Sequence, residues 1–199
     1  PGLAIRPYPR ELARRARTQD GLEVWLRPIR PEDEPALQAM FRRLDPEDVR
    51  LRFFAPLKDL SHAFAARLTQ IDYDREMALV ATDPADESML WGVVRLSTDP
   101  DRVVGEYAVL VRSDLKGRGL GYLLMAAIID HARAQNVGRI EGDVLAENTA
   151  MLELCRDLGF TIARDAEDPQ VRRVRLPVAE AAAGTEPKSD PVHGFLTRL

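Results

Sequence analysis

The chain has 199 residues, 45% of them hydrophobic and 30% charged, enough to bury one sizeable core and closer to one domain than to two. A formal net charge of -4 gives no general attraction to nucleic acid or anionic membranes, and no apolar run is long enough to cross a bilayer. One cysteine cannot form an internal disulfide, which suits the cytoplasm, and three scattered histidines offer no metal-ligand spacing.

Residues 1–20 carry Pro1, Pro7 and Pro9 ahead of an arginine-rich stretch and read as a linker from a preceding domain. Residues 22–29 alternate in part between apolar and polar, as a half-buried strand does. Pro31-Glu32-Asp33-Glu34 opens a helix, because proline fits a first turn and acids suit its positive end. Arg50 and Arg52 fall near a helix end, where attraction to the last carbonyls accounts for both. Residues 60–68 are predicted helical, with Ser61 as N-cap. The turn holding Asp72, Asp74, Arg75 and Glu76 suits solvent, or the reception of a cationic acceptor. Strands follow over 77–81 and 90–96, separated by a polar turn containing Pro84, and a third over 103–111. Leu120, Leu123, Leu124, Ala127, Ile128 and His131 then recur at helical spacing. His131 is expected as a hydrogen-bonded edge residue. Residues 139–145 form a strand, Asn148 caps a helix, and 160–163 and 171–176 form a closing pair of strands. The tail 179–199, rich in Ala, Gly, Pro and charge, is expected to be disordered.

The join between the strand 103–111 and the helix after it carries the most chemical information. Gly117, Gly119 and Gly121 alternate just before and within the helix start. Glycine allows close approach to a ligand, and the first N–H groups of a helix lack intrahelical partners, so together they cradle a phosphate or pyrophosphate. The spacing fits neither the dinucleotide fingerprint nor the P-loop. In strand register Glu106, Ala108 and Leu110 share one face, and Tyr107, Val109 and Val111 the other. A carboxylate in so apolar a strand must be solvated, paired or neutral. Either Glu106 is a general base, or it is a strand-end residue paired with an arginine such as Arg102 or Arg112.

Lys116-Gly117-Arg118-Gly119-Leu120-Gly121 resembles the pyrophosphate loop of the GNAT superfamily of N-acetyltransferases, with Lys116 where Gln or Arg is usual. Asn148-Thr149-Ala150-Met151-Leu152-Glu153-Leu154-Cys155-Arg156-Asp157-Leu158-Gly159-Phe160 resembles its second signature, an Asn-initiated helix ending in Gly-Phe. The resemblance covers roughly residues 22–177. It implies an α/β fold with a central mixed, mostly antiparallel sheet flanked by helices and splayed between its fourth and fifth strands. The domain is expected over 21–178, with acetyl-CoA as cosubstrate and no metal. It implies Glu106 as catalytic base, and a cofactor site of Val109, Leu110, Val111, Lys116, Gly117, Arg118, Gly119, Leu120, Gly121, Tyr122, Asn148 and Cys155. Cys155 stands where many members have a tyrosine that protonates the departing thiolate, so a tyrosine acid at that position is missing. The segments Leu51-Arg52-Phe53-Phe54, Leu68-Thr69-Gln70-Ile71-Asp72-Tyr73-Asp74-Arg75-Glu76-Met77 and Glu106-Tyr107-Ala108-Val109-Leu110-Val111 resemble the catalytic domain of bacterial protein lysine acetyltransferases. Those carry a preceding acyl-CoA-synthetase-like domain and act on AMP-forming acyl-CoA synthetases. The resemblance therefore implies a protein acceptor of that class. A small-amine acetyltransferase and a non-catalytic CoA sensor are the alternatives.

Overall fold

The computed structural model describes residues 6–179. Among them, one eight-stranded sheet has the order β1-β2-β3-β4-β5-β6-β8-β7. Its strands are β1 (Arg14–Arg17), β2 (Glu23–Pro28), β3 (Glu76–Asp83), β4 (Asp86–Thr98), β5 (Val104–Val111), β6 (Arg139–Leu145), β7 (Thr161–Arg164) and β8 (Val171–Pro177). Every neighbouring pair is antiparallel except β5 with β6. The helices are α1 (Glu34–Arg42), α2 (Pro46–Phe53), α3 (His62–Thr69), α4 (Leu120–Ala134) and α5 (Thr149–Asp157). None is long and apolar enough to cross a membrane.

The sheet separates two apolar layers. On one face Ala78, Val80, Leu90 and Val93 pack against Leu37, Met40 and Phe41 of α1, Val49 and Phe53 of α2, and Ala65 of α3. On the other face Leu79, Val94, Leu96 and Tyr107 meet Leu124, Ile128 and Ala132 of α4 and Leu152 and Cys155 of α5. The helix starts follow their side chains. The Ser61 hydroxyl accepts from the Phe64 N–H at 3.1 Å, and Asn148 Oδ1 accepts from the Met151 N–H at 3.2 Å. Each satisfies a donor that the helix itself cannot.

One expectation needs correction. The stretch 1–20, expected as a linker, contributes β1, which pairs with β2 from Arg14↔Leu26 to Arg17↔Glu23. Its arginines carry no apolar alternation because a charged edge strand is held by its main chain and keeps its side chains in solvent. This strand adds one to the count, so the splay stands where expected, between the strands at 103–111 and 139–145, now the fifth and sixth. Residues 1–5 and 180–199, with nearly all of the expected disordered tail, lie outside the described residues.

The splay has a local cause. β5 and β6 pair only from Val104↔Arg139 to Glu106↔Glu141, and then part. At the next step the Tyr107 ring lies where a side chain on Gly142 would stand: a Cβ there would be 2.4 Å from Tyr107 Cε1. The ring is wedged between the strands, packs edge-on against Phe160 at 5.7 Å, and its hydroxyl lies 3.3 Å from Cys155 Sγ. From Tyr107 to Val111 one edge of β5 is left without a strand partner.

Candidate active site

The parted strands open a cleft of about 390 Å³. Glu106, Val109, Leu110 and Val111 line it from β5, Asp143 and Val144 from β6, and Asn148, Met151 and Leu154 from the start of α5 and beyond. Lys116, Gly117, Gly119, Leu120, Gly121 and Tyr122 line it from the loop and the start of α4, and Asp48, Leu51, Arg52 and Phe54 from the α2 region.

The glycine loop is built to offer main-chain donors. Gly117 and Gly119 adopt φ of +77° and +83°, a region closed to most side chains. Gly121 lies within α4, and a Cβ there would meet Leu154 Cδ2 at 3.4 Å. The Leu123 N–H bonds the Gly119 carbonyl at 3.0 Å, so the N–H groups of Leu120, Gly121 and Tyr122 precede the first intrahelical bond of α4. With the positive end of the α4 dipole behind them, these donors suit a diphosphate. The loop is braced from outside: a Cβ on Gly119 would sit 3.6 Å from Thr18 Cβ in the β1–β2 turn. Lys116 Nζ lies 2.7 Å from Asp48 Oδ1, tying the loop to α2.

Glu106 sits where β5 and β6 begin to part, on the face of the sheet covered by α1–α3. Its Oε1 accepts from Arg173 Nη2 at 3.0 Å, while Oε2 carries no hydrogen bond among the described residues and is not sealed from solvent. Arg173 is also shared with Glu141 (2.5 Å) and Asp143 (2.8 Å). Burial opposes its charge, but the Asp143 and Glu106 carboxylates outweigh that and raise its pKa. Burial also opposes the charge on Glu141, yet hydrogen bonds from Arg139 and Arg173 hold its pKa below the usual carboxylate range. Glu106 is thus oriented by an arginine, as one of the two sequence readings required. The arginine is Arg173 of β8, far along the chain, and neither Arg102 nor Arg112.

Two expected cofactor residues stand apart from the cleft. The Arg118 side chain turns outward, with Nε 2.5 Å from Asp20 Oδ2, so only its main chain belongs to the loop. Cys155 is fully buried on the core side of α5 and does not line the cleft. Two helical turns set it on the same flank of α5 as Asn148, yet its sulfur packs against the Tyr107 hydroxyl inside the core. Burial raises the pKa of its thiol, although the Tyr107 hydrogen bond opposes this. Burial first, and Cys155 second, push the Tyr107 phenol well above its ordinary value. Both groups are neutral at neutral pH, which disfavours a thiolate nucleophile.

The acidic turn is engaged elsewhere. Asp74 pairs with Arg6 at 2.7 Å, and Glu76 with Arg95 at 3.3 Å. His131 lies beside this turn in a separate small pocket, its pKa lowered by burial and then by Arg102. Arg52, which the sequence places at a helix end, also lines the cleft, and its neighbour Arg50 pairs with Glu47 and Glu147 instead.

The sequence profile of the acetyltransferase (GNAT) domain matches residues 23–161. The chain belongs to the GNAT acetyltransferase family. This GNAT domain is 35% identical over 150 residues to an acetyltransferase of Pseudomonas aeruginosa, covering 75% of the chain and 81% of that protein. Over 66 residues it is 41% identical to the L-methionine sulfoximine/L-methionine sulfone acetyltransferase of Pseudomonas aeruginosa, a stretch covering 33% of the chain and 37% of that protein. The crystal structure of the GNAT domain of S. lividans PAT superposes with a TM-score of 0.79 at 28% identity, covering 86% of the chain and 99% of that domain. The chain is therefore an N-acetyltransferase with the GNAT fold.

Proposed function

We propose that this domain transfers the acetyl group of acetyl-CoA to a lysine side chain on a protein, with Glu106 as general base. The observation that carries the reading is the cleft itself. It joins the open N–H groups of the loop at 117–122 to the unbonded Oε2 of Glu106 along the unpaired edge of β5. The likeness to the S. lividans PAT domain, and the segments resembling protein lysine acetyltransferases, support a protein acceptor. An AMP-forming acyl-CoA synthetase is the acceptor class proposed, and a preceding synthetase-like domain belongs to the same proposal.

The residues divide the work. Main-chain groups of Gly117–Tyr122 receive the pyrophosphate, and the open edge over Val109, Leu110 and Val111 holds the pantetheine amides and the oxyanion. A lysine ammonium, with a reference pKa near 10.4, must lose a proton before it attacks. Glu106 Oε2 takes that proton, directly or through one water, while Arg173 fixes the carboxylate. The new C–N bond forms as the C–S bond breaks, and the thiolate, a tolerable leaving group with a reference pKa near 8.5, takes a proton from water. Acetylation removes the positive charge of the acceptor lysine, which is how such a transfer would switch off an enzyme that needs it.

The test is an acetyl-transfer assay run side by side on an intact AMP-forming acyl-CoA synthetase, its active-site lysine-to-alanine variant, and free polyamines and amino acids. Acetylation of the intact synthetase alone is the expected result. Efficient acetylation of small amines with the synthetase untouched would replace the reading with the small-molecule alternative. That alternative is favoured by the 66-residue likeness to an enzyme named for amino-acid substrates.

A further inference from the structure

Arg52 ends α2 on the same face of the sheet as Glu106. It borders both the main cleft and a small apolar recess beneath α1–α3, where Ala108 and Leu110 of β5 line both with it. Its guanidinium carbon lies over the Phe53 ring, 4.6 Å from the centroid. This cation–π contact uses none of the five guanidinium N–H donors. No carboxylate or carbonyl among the described residues accepts from them. The nearby buried cation, Arg95, is already engaged with Glu76 at 3.3 Å and the Leu68 carbonyl at 2.5 Å. Burial lowers the pKa of Arg52 to about 10, and the Arg95 charge adds to that, yet the group stays charged at neutral pH. Arg52 is half-buried and has no protein counter-ion among the described residues, so an anion entering the cleft meets an unneutralised charge.

We propose that Arg52 is a specificity residue that binds a carboxylate of the acceptor while the acceptor amine faces Glu106. This rests on the proposed acetyl transfer at Glu106. The CoA phosphates are a poor match for this cation. Their donors lie at the start of α4, which packs on the opposite face of the sheet, whereas Arg52 and Glu106 share the α1–α3 face. Glu106 and Ala108 are successive same-face residues of β5, about 7 Å apart. The acceptor's carboxylate would therefore lie within roughly one or two such steps of its amine. A lysine beside an aspartate or glutamate and a free amino acid both offer that pairing.

The test uses the full chain and matched acceptors: lysine peptides with an acidic neighbour against the same peptides with the amide residue, and free amino acids against their amides. The parent is expected to prefer the carboxylate member of a pair. Arg52→Gln should raise KM for that member about 10–100-fold and erase the preference, with a much smaller change in KM for acetyl-CoA. Arg52→Lys, which keeps the charge without the fork, should fall between. Whichever family of pairs shows the larger preference identifies the source of the carboxylate. Thermal melts supply a readout independent of turnover: Arg52→Gln should melt no lower than the parent, since it removes an uncompensated cation beside Arg95. The proposal is overturned if both members of every pair lose rate equally, or if the KM for acetyl-CoA moves instead. The underlying reading fails separately, and visibly, if Glu106→Gln leaves all acceptors equally fast.

Discussion

Gly142→Ala tests whether the Tyr107 ring is what keeps β5 and β6 apart. The added Cβ would stand 2.4, 2.9 and 3.1 Å from three ring carbons. Ordinary contact begins at 3.4 Å, so the ring must retreat by about 1 Å. It has little room, because Tyr107 is 8% exposed, meets Phe160 edge-on and bonds Cys155. Overpacking of this kind costs about 1–3 kcal/mol, and loss of the hydroxyl's bond about 1 more. The total of about 2–4 kcal/mol corresponds to a fall in Tm of about 4–16 °C in a chain of this size. On a Tyr107→Leu background the clash is gone, and alanine is slightly better than glycine in a strand, so the same change should be neutral or mildly stabilising. Urea denaturation of the four proteins in the cycle reads this directly. If Gly142→Ala costs the same on both backgrounds to within about 0.5 kcal/mol, the ring is not the wedge.

Glu106→Gln should lower acetyl transfer by about 10²–10⁴ while calorimetry finds acetyl-CoA affinity unchanged, and a rate within a few-fold of the parent would move the base elsewhere. Gly119→Val forces a branched side chain into φ of +83°, a strain of about 1–2 kcal/mol, with its Cβ in ordinary contact 3.6 Å from Thr18 Cβ. The domain should stay folded and lose CoA binding, and undiminished affinity by calorimetry would refute the loop's role. Burial, and then Arg102, hold the folded pKa of His131 below its ordinary value of 6.5. Between the folded pKa and 6.5 the unfolded chain binds more protons, so stability falls as pH drops through this window. His131→Gln should lose less stability than the parent between about pH 7 and pH 5, and equal declines in urea midpoint would argue against that burial.

The elements with strong side-chain signals were legible in the chain. Ser61 and Asn148 are helix starts because their oxygens satisfy local donors, and local chemistry can be read locally. β6 runs Arg139–Leu145, the span its pattern predicts. β1 was hidden because main-chain pairing at a solvent edge leaves no mark in side-chain polarity. The partner of Glu106 was hidden for a different reason: Arg173 lies on β8, and only the pairing of β6 with β8 brings it beside the carboxylate. Arg50 and Arg52 look alike in sequence at a helix end. A two-residue offset on a helix turns one towards Glu47 and Glu147 and the other into the cleft. Cys155 was assigned to the correct helix but to the wrong side of its wall.

The hairpin made by β1 and β2 ties residues 14–28 to the ligand loop. Its turn is closed by Gly21 at φ of +92° and by the Thr18 hydroxyl, and Thr18 and Asp20 stand directly behind Gly119 and Arg118. A protein trimmed to begin at residue 21, the boundary that composition suggests, would lose this buttress and bare the hydrogen-bonding edge of β2 together. One cut would then leave two separate scars: a slack diphosphate loop, seen as weakened CoA affinity, and an unguarded strand edge, seen as self-association.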